Sequence, residues 1–203
     1  MDILRETDPL IVSGAVATLF LTASMDPWWT LNGASGTNLL RVNISPFYLH
    51  TSAIGLSPSF PFAEPLGLLT RAVLVLGFLA LGLASLSPSA WWRELAVYFS
   101  LSTLAELYLS FMLFFHAAET SLLGAYGVVP PYTGSAQLSA VILGLDLNHY
   151  VQPFVTAGFT LPFYVGFVAI GFVCASLYLR RHGREKPRQK GVAAVFTPDR
   201  EEP

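Results

Sequence analysis

The sequence predicts an all-α membrane protein, a four-helix transmembrane bundle with a small extracellular cap that contains short β-strands. Three observations carry that expectation. Leu95 to Ala118 is an apolar run broken by one carboxylate, Glu106, and three similar runs surround it; roughly 20 apolar residues cross a bilayer core. Charged residues make up 12% of the chain and hydrophobic ones 53%, whereas an average soluble domain carries about 25% charged residues. Finally, seven of the eleven basic residues fall between Arg180 and Arg200.

The first helix is expected over residues 9–25. Asp8 is a good N-cap, and Pro9 is tolerated at the first helical position. Asp26-Pro27 closes the run, and Trp28 and Trp29 follow at the depth of an aromatic belt. The run lacks a basic region ahead of it and has a poor cleavage site, so it reads as a retained helix rather than a signal peptide.

From 26 to 64 the composition turns to Asn, Gly, Ser, Thr and Pro. The alternating pieces Leu39–Ile44 and Phe47–Leu49 read as short strands, with turns at Asn32-Gly33 and Ser35-Gly36. The second helix is expected over 65–86 and the third over 92–118. The connection between them is short, which makes them an antiparallel hairpin with Trp91 and Trp92 at its tip. A second loop covers 119–152 and holds a strand near Ala140–Leu145. The fourth helix is expected over 153–179, kinked at Pro162. Residues 1–180 form one membrane domain, and 181–203 are a cytoplasmic tail whose composition predicts disorder.

Orientation follows from Lys and Arg placement. With both termini cytoplasmic, the inner segments hold Arg5, Arg93 and the seven basic residues from Arg180 to Arg200, and the outer loops hold Arg41. Both long loops then face outward, placing the protein in the cell membrane. Asn43-Ile44-Ser45 is a glycosylation acceptor sequence on that outer side, weakened by the Pro46 that follows.

Several residues are candidates for chemistry. Thr103, Glu106 and Ser110 share one helix face by their three- and four-residue spacing, and Arg71 is the natural partner for Glu106. This set reads either as a structural ion pair or hydrogen-bonded acid, or as a polar path for a proton or cation. His50, His116 and His149, with Glu119, all fall on the outer side and make a second candidate set, for zinc, copper or haem. No tight ligand motif joins them, so no metal or cofactor is assigned. The single Cys174 excludes an intrachain disulfide. There is no nucleophile elbow, phosphate-binding loop, intramembrane aspartate pair or basic-aromatic patch for nucleic acid. Gly14-x-x-x-Thr18-x-x-x-Thr22, and Gly77, Ala80 and Ala84, are small-residue faces for close helix approach. Phe159, Phe163 and Phe167 read as packing residues.

The layout over residues 9–180, with Trp28-Trp29 just after the first helix, resembles the claudin and peripheral-myelin-protein class. It departs from the Gly-Leu-Trp and two-cysteine signature of that class; Leu40-Arg41-Val42-Asn43 to Pro46-Phe47 occupies the comparable region. The resemblance implies an outward β-sheet on a left-handed four-helix bundle, with lateral or cell–cell contacts. The function expected is non-enzymatic: interaction, scaffolding or assembly through the cap, with Trp28, Trp29, Phe47 and Tyr48 as interface residues. Expected partners are the bilayer, further copies or other membrane proteins. The alternatives are a transporter with Glu106 in a polar path and a metal- or haem-binding redox subunit.

Overall fold

The structure, a computed structural model, describes residues 9–33, 40–53, 57, 59–87, 89–126, 131–137, 141–142, 145–146 and 154–183. Four helices, α1 (Pro9–Ala23), α2 (Ala63–Leu86), α3 (Ala90–Tyr126) and α4 (Leu161–Gly183), pack in a ring. Each touches the next, and α4 closes on α1. Buried residues on every helix recur at alternating spacings of three and four. On α2 they are Gly67, Thr70, Leu74, Gly77, Leu81 and Ala84. On α3 the row runs Val97, Ser100, Leu104, Leu107, Phe111, Phe114 and Ala118. A 3.5-residue average is the spacing of left-handed, knobs-into-holes packing.

The opposite faces are apolar too. Leu68 is 71% exposed and Leu83 69%, and exposed Val, Leu and Phe continue along all four helices. A helix that is hydrophobic all round belongs in a large core or a membrane. Among the described residues three helices are long and apolar enough to cross a membrane, Ala63–Leu86, Trp91–Ser121 and Leu161–Leu179. The fourth, α1, is shorter, at 15 residues.

One end of the bundle carries a five-stranded antiparallel sheet of β1 (Trp29–Gly33), β2 (Leu40–Ser45), β3 (Tyr48–Ala53), β4 (Gly134–Gln137) and β7 (Phe154–Phe159). The strand order is β3-β2-β1-β7-β4, so β1 joins strands from both long connections. A separate hairpin pairs β5 (Val141–Ile142) with β6 (Leu145–Asp146). Trp29 and Leu31, Val42 and Ile44, and Val155 are buried against the helices. Strand alternation turns Asn32, Arg41, His50 and Thr156 to the other face, where they are exposed.

Four expectations need correction. The fourth helix starts at Leu161, not Pro153, because 154–159 is strand β7. Pro162 therefore produces no mid-helix kink; it stands in the first turn, where its missing N–H has no intrahelical partner to lose. The third helix runs on to Tyr126. At about 1.5 Å per residue its 37 residues span roughly 55 Å, enough to continue beside the sheet. Asn32 and Gly33 lie in β1 rather than in a turn. Ser35, Gly36 and the tail from 184 onward lie outside the described residues.

Candidate functional site

Two clusters of side chains stand out, one where the sheet meets the bundle and one inside the α2–α3 seam. The first is aromatic. Trp28 is fully buried, not at a lipid-facing belt, because rings from α3 and α4 converge on it. Its ring meets Tyr108 edge-on at 5.1 Å, Phe111 at 5.7 Å and Phe163 at 6.0 Å. Its Nε1 is buried with no acceptor among the described residues. Trp29, equally buried, donates its Nε1 hydrogen to the Tyr132 carbonyl at 2.7 Å and packs on Phe115 at 5.1 Å. Tyr108 donates to the Phe163 carbonyl at 2.8 Å. Thr160 ties the start of α4 to this junction: its amide donates to the Trp28 carbonyl at 2.9 Å and its hydroxyl to that of Pro27. Phe159 and Phe163 stack at 4.3 Å, and Phe167 meets Phe163 at 5.2 Å.

The second cluster is polar. Thr70 and Ser110 share a hydroxyl–hydroxyl hydrogen bond of 2.7 Å across the α2–α3 seam. Thr70 also lies 3.4 Å from Glu106 Oε1, to which it can donate. Glu106 Oε2 is buried with no donor among the described residues. One turn below, Thr103 donates to the Ser100 carbonyl at 2.8 Å, and its side chain fills the space over Gly77. A Cβ at Gly77 would overlap the Thr103 hydroxyl, so the close approach of these helices requires glycine there.

Arg71 is not the partner of Glu106. Adjacent residues on a helix are about 100° apart, and Thr70 takes the face toward α3. Arg71 instead points to the sheet: its guanidinium lies 4.9 Å from the Phe47 ring centroid and donates to Met25 Sδ at 3.3 Å. Its Nε is buried and unpartnered among the described residues. Next to it Gly67 packs on Phe47, whose carbonyl a Cβ would overlap. Tyr48 donates its phenol to the Met25 carbonyl at 2.9 Å. Burial and the nearby Asp26 charge push that phenol above its ordinary pKa, against a smaller opposing effect of Arg41.

The histidines stay apart. His50 is exposed on β3, opposite Asn43. His116 is exposed on α3, and its carbonyl accepts from Thr120; Glu119 is half-buried. His149 lies outside the described residues. Among the described residues no three of His, Cys, Asp and Glu gather as metal ligands. Asn43 is half-buried in β2, paired with Thr30 on one side and His50 on the other, and Ser45 is fully buried. Cys174 is exposed on α4.

Sequence reasoning passed over Thr70 and Tyr108. Extending the Gly77 spacing backwards by three and four reaches Leu74, Thr70 and Gly67, so that signal was present. Nothing local marks Tyr108, whose partners lie 55 and more residues away. No protein-family model matches the chain, and no curated protein is similar to it in sequence.

Proposed function

We propose that the chain is a multi-pass protein of the cell membrane, with all four helices crossing the bilayer and both termini cytoplasmic. The sheet then forms an extracellular cap that works without chemistry of its own, binding a second copy or another membrane protein, in the manner of the claudin and peripheral-myelin-protein class. The observation that carries this reading is how the cap is mounted. Its inner face is fixed to the bundle through Trp28 and Trp29, while Asn32, Arg41, His50 and Thr156 present a nearly neutral, hydrogen-bonding face outward. A rigid scaffold bearing a polar face loses little entropy on docking. The apolar outer faces of the helices support insertion. At 15 residues and about 1.5 Å each, α1 spans roughly 22 Å, a mismatch met by local thinning of the bilayer.

The test has two parts. A thiol introduced as Asn32→Cys should react with an impermeant reagent on intact cells, while a C-terminal tag should be reached only after permeabilisation. Bifunctional crosslinking from that thiol should trap a defined neighbour, and Arg41→Glu with Thr156→Lys should abolish the product. A crosslink pattern untouched by those changes would sink the cap as the binding face.

Glu106 Oε2, buried and without a donor among the described residues, favours a second reading, a cation or proton path along the α2–α3 seam. In reconstituted vesicles Glu106→Gln would then abolish flux, and equal flux in the variant would dismiss it.

A further inference from the structure

Beside the sheet, α2 borders a cleft of about 380 Å³. Its lining includes Phe47, Tyr48, Phe60, Glu64, Leu68 and Arg71. Two of these are opposite charges on one helix face. Glu64 and Arg71 are seven residues apart, two turns, which sets them about 10 Å apart along the axis with Arg71 farther from the sheet end. Neither neutralises the other, and among the described residues no carboxylate pairs with Arg71. Its one hydrogen-bond acceptor there is a thioether sulfur, which accepts weakly. Its Nε has none. The guanidinium is nevertheless held in place, stacked on Phe47 and wedged where Gly67 lets the Phe47 backbone approach α2.

We propose that this cleft binds the headgroup of a zwitterionic phospholipid. The phosphate takes the terminal N–H donors of Arg71, the buried Nε staying out of its reach, and the ammonium lies between Glu64 and the ring faces of Tyr48 and Phe60. The order of charges supports this choice. In such a lipid the phosphate adjoins the glycerol and acyl chains, and the amine lies beyond it; in the cleft the cation lies deeper along α2 and the carboxylate nearer the sheet. An arginine fork matches phosphate oxygens two at a time, and an ammonium is attracted by aromatic faces and by a carboxylate. Leu68, among the most exposed large apolar side chains of the described residues, continues the site along the apolar face of α2 toward Val75 and Leu79, where acyl chains would lie. Phosphatidylglycerol would leave Glu64 facing uncharged hydroxyls with no cation to pair it, and a neutral diacylglycerol would leave Arg71 without its acceptor.

The proposal rests on the membrane-spanning reading, so its test begins by asking whether wild type and each variant stay in alkali-stripped membranes. Full-length protein is then reconstituted in vesicles of phosphatidylcholine, phosphatidylglycerol and diacylglycerol, extracted, and weighed intact by native mass spectrometry. Wild type is expected to keep one phosphatidylcholine per chain. Arg71→Gln should lower that retention about tenfold, the scale of one charge-assisted hydrogen bond. Glu64→Gln, at an exposed position, should move the retained lipid toward phosphatidylglycerol. Equal retention in Arg71→Gln, no shift in Glu64→Gln, or diacylglycerol held as firmly as phosphatidylcholine each overturns the proposal. Soluble phosphocholine held as firmly as phosphatidylcholine would assign the cleft to a free phosphate ester and overturn the lipid. A chain stripped from membranes by alkali fails the spanning reading itself; an inserted chain that holds no lipid fails only this site.

Discussion

The two ends of the bundle solve the same packing problem with opposite materials. At the hairpin end the helices carry no strands, and small residues suffice between α2 and α3: Ala80, Ala84 and Ala96 line an open groove there with Leu83, Trp92 and Phe99 at its edges. At the sheet end the helices must also carry five strands, and the wedge between sheet and bundle is filled by Trp28, Trp29, Phe111, Phe115 and Phe163. Two helices at close approach leave room for little more than a methyl group. A sheet set across helix ends leaves a wide gap, and only rings fill that much volume with few rotatable bonds. Trp residues at the two ends accordingly have different fates, buried at 28 and 29 and exposed at 91 and 92.

The contrast is sharpest when the same change is made at both ends. Trp28→Ala should cost about 3–5 kcal/mol, the range for emptying a large aromatic site, read as a large drop in Tm in detergent. Trp92→Ala, at an exposed position, should stay within about 0.5 kcal/mol of wild type. Equal Tm losses in the two variants would break the comparison. Glycines come next. Gly67→Ala should destabilise by about 1–3 kcal/mol, because the added methyl meets backbone rather than a movable side chain. Gly82→Ala, where nothing lies within 4 Å, should be neutral or gain up to about 1 kcal/mol from helix propensity. The smallest effect concerns pH. The folded Tyr48 phenol has a raised pKa, so its contribution is fully present below the unfolded value of about 10 and is lost as pH rises through the folded one. Wild type should therefore lose Tm more steeply than Tyr48→Phe above about pH 10, with the two curves parallel below it. Parallel curves throughout would remove Tyr48 from the account.

The helices were legible because their signal is local. Length and hydropathy mark α2 and α3 directly, and the spacing of Gly77, Ala80 and Ala84 marks a packing face. In the first connection β2 was legible for the same reason, since Leu40, Val42 and Ile44 alternate with polar residues, whereas β1 was hidden because Asn32-Gly33 reads as a turn. The second half of the sheet was not legible either. No charged residue separates β7 from α4, so hydropathy alone does not mark where the strand gives way to the helix. Trp28 resembles an interfacial tryptophan in sequence because its burial depends on Tyr108, Phe111 and Phe163, all 80 or more positions away. Pairing Arg71 with Glu106 ignores rotation about the helix axis. One residue of rotation gives that face to Thr70 and sends Arg71 to Phe47.

The place of β1 at the centre of the sheet also sets an order of events in biosynthesis. Trp29 pairs with Ile44, close behind it, and with Phe159, which a ribosome delivers 130 residues later (159 − 29). Until then β1 has one side occupied and one side bare, a row of unpaired amides and carbonyls of the kind that captures strands from other chains. Long loop closures slow folding and prolong that exposure. The half-built cap is thus the vulnerable intermediate of this protein, and a nascent chain stalled before residue 154 is the species a quality-control chaperone would have reason to hold.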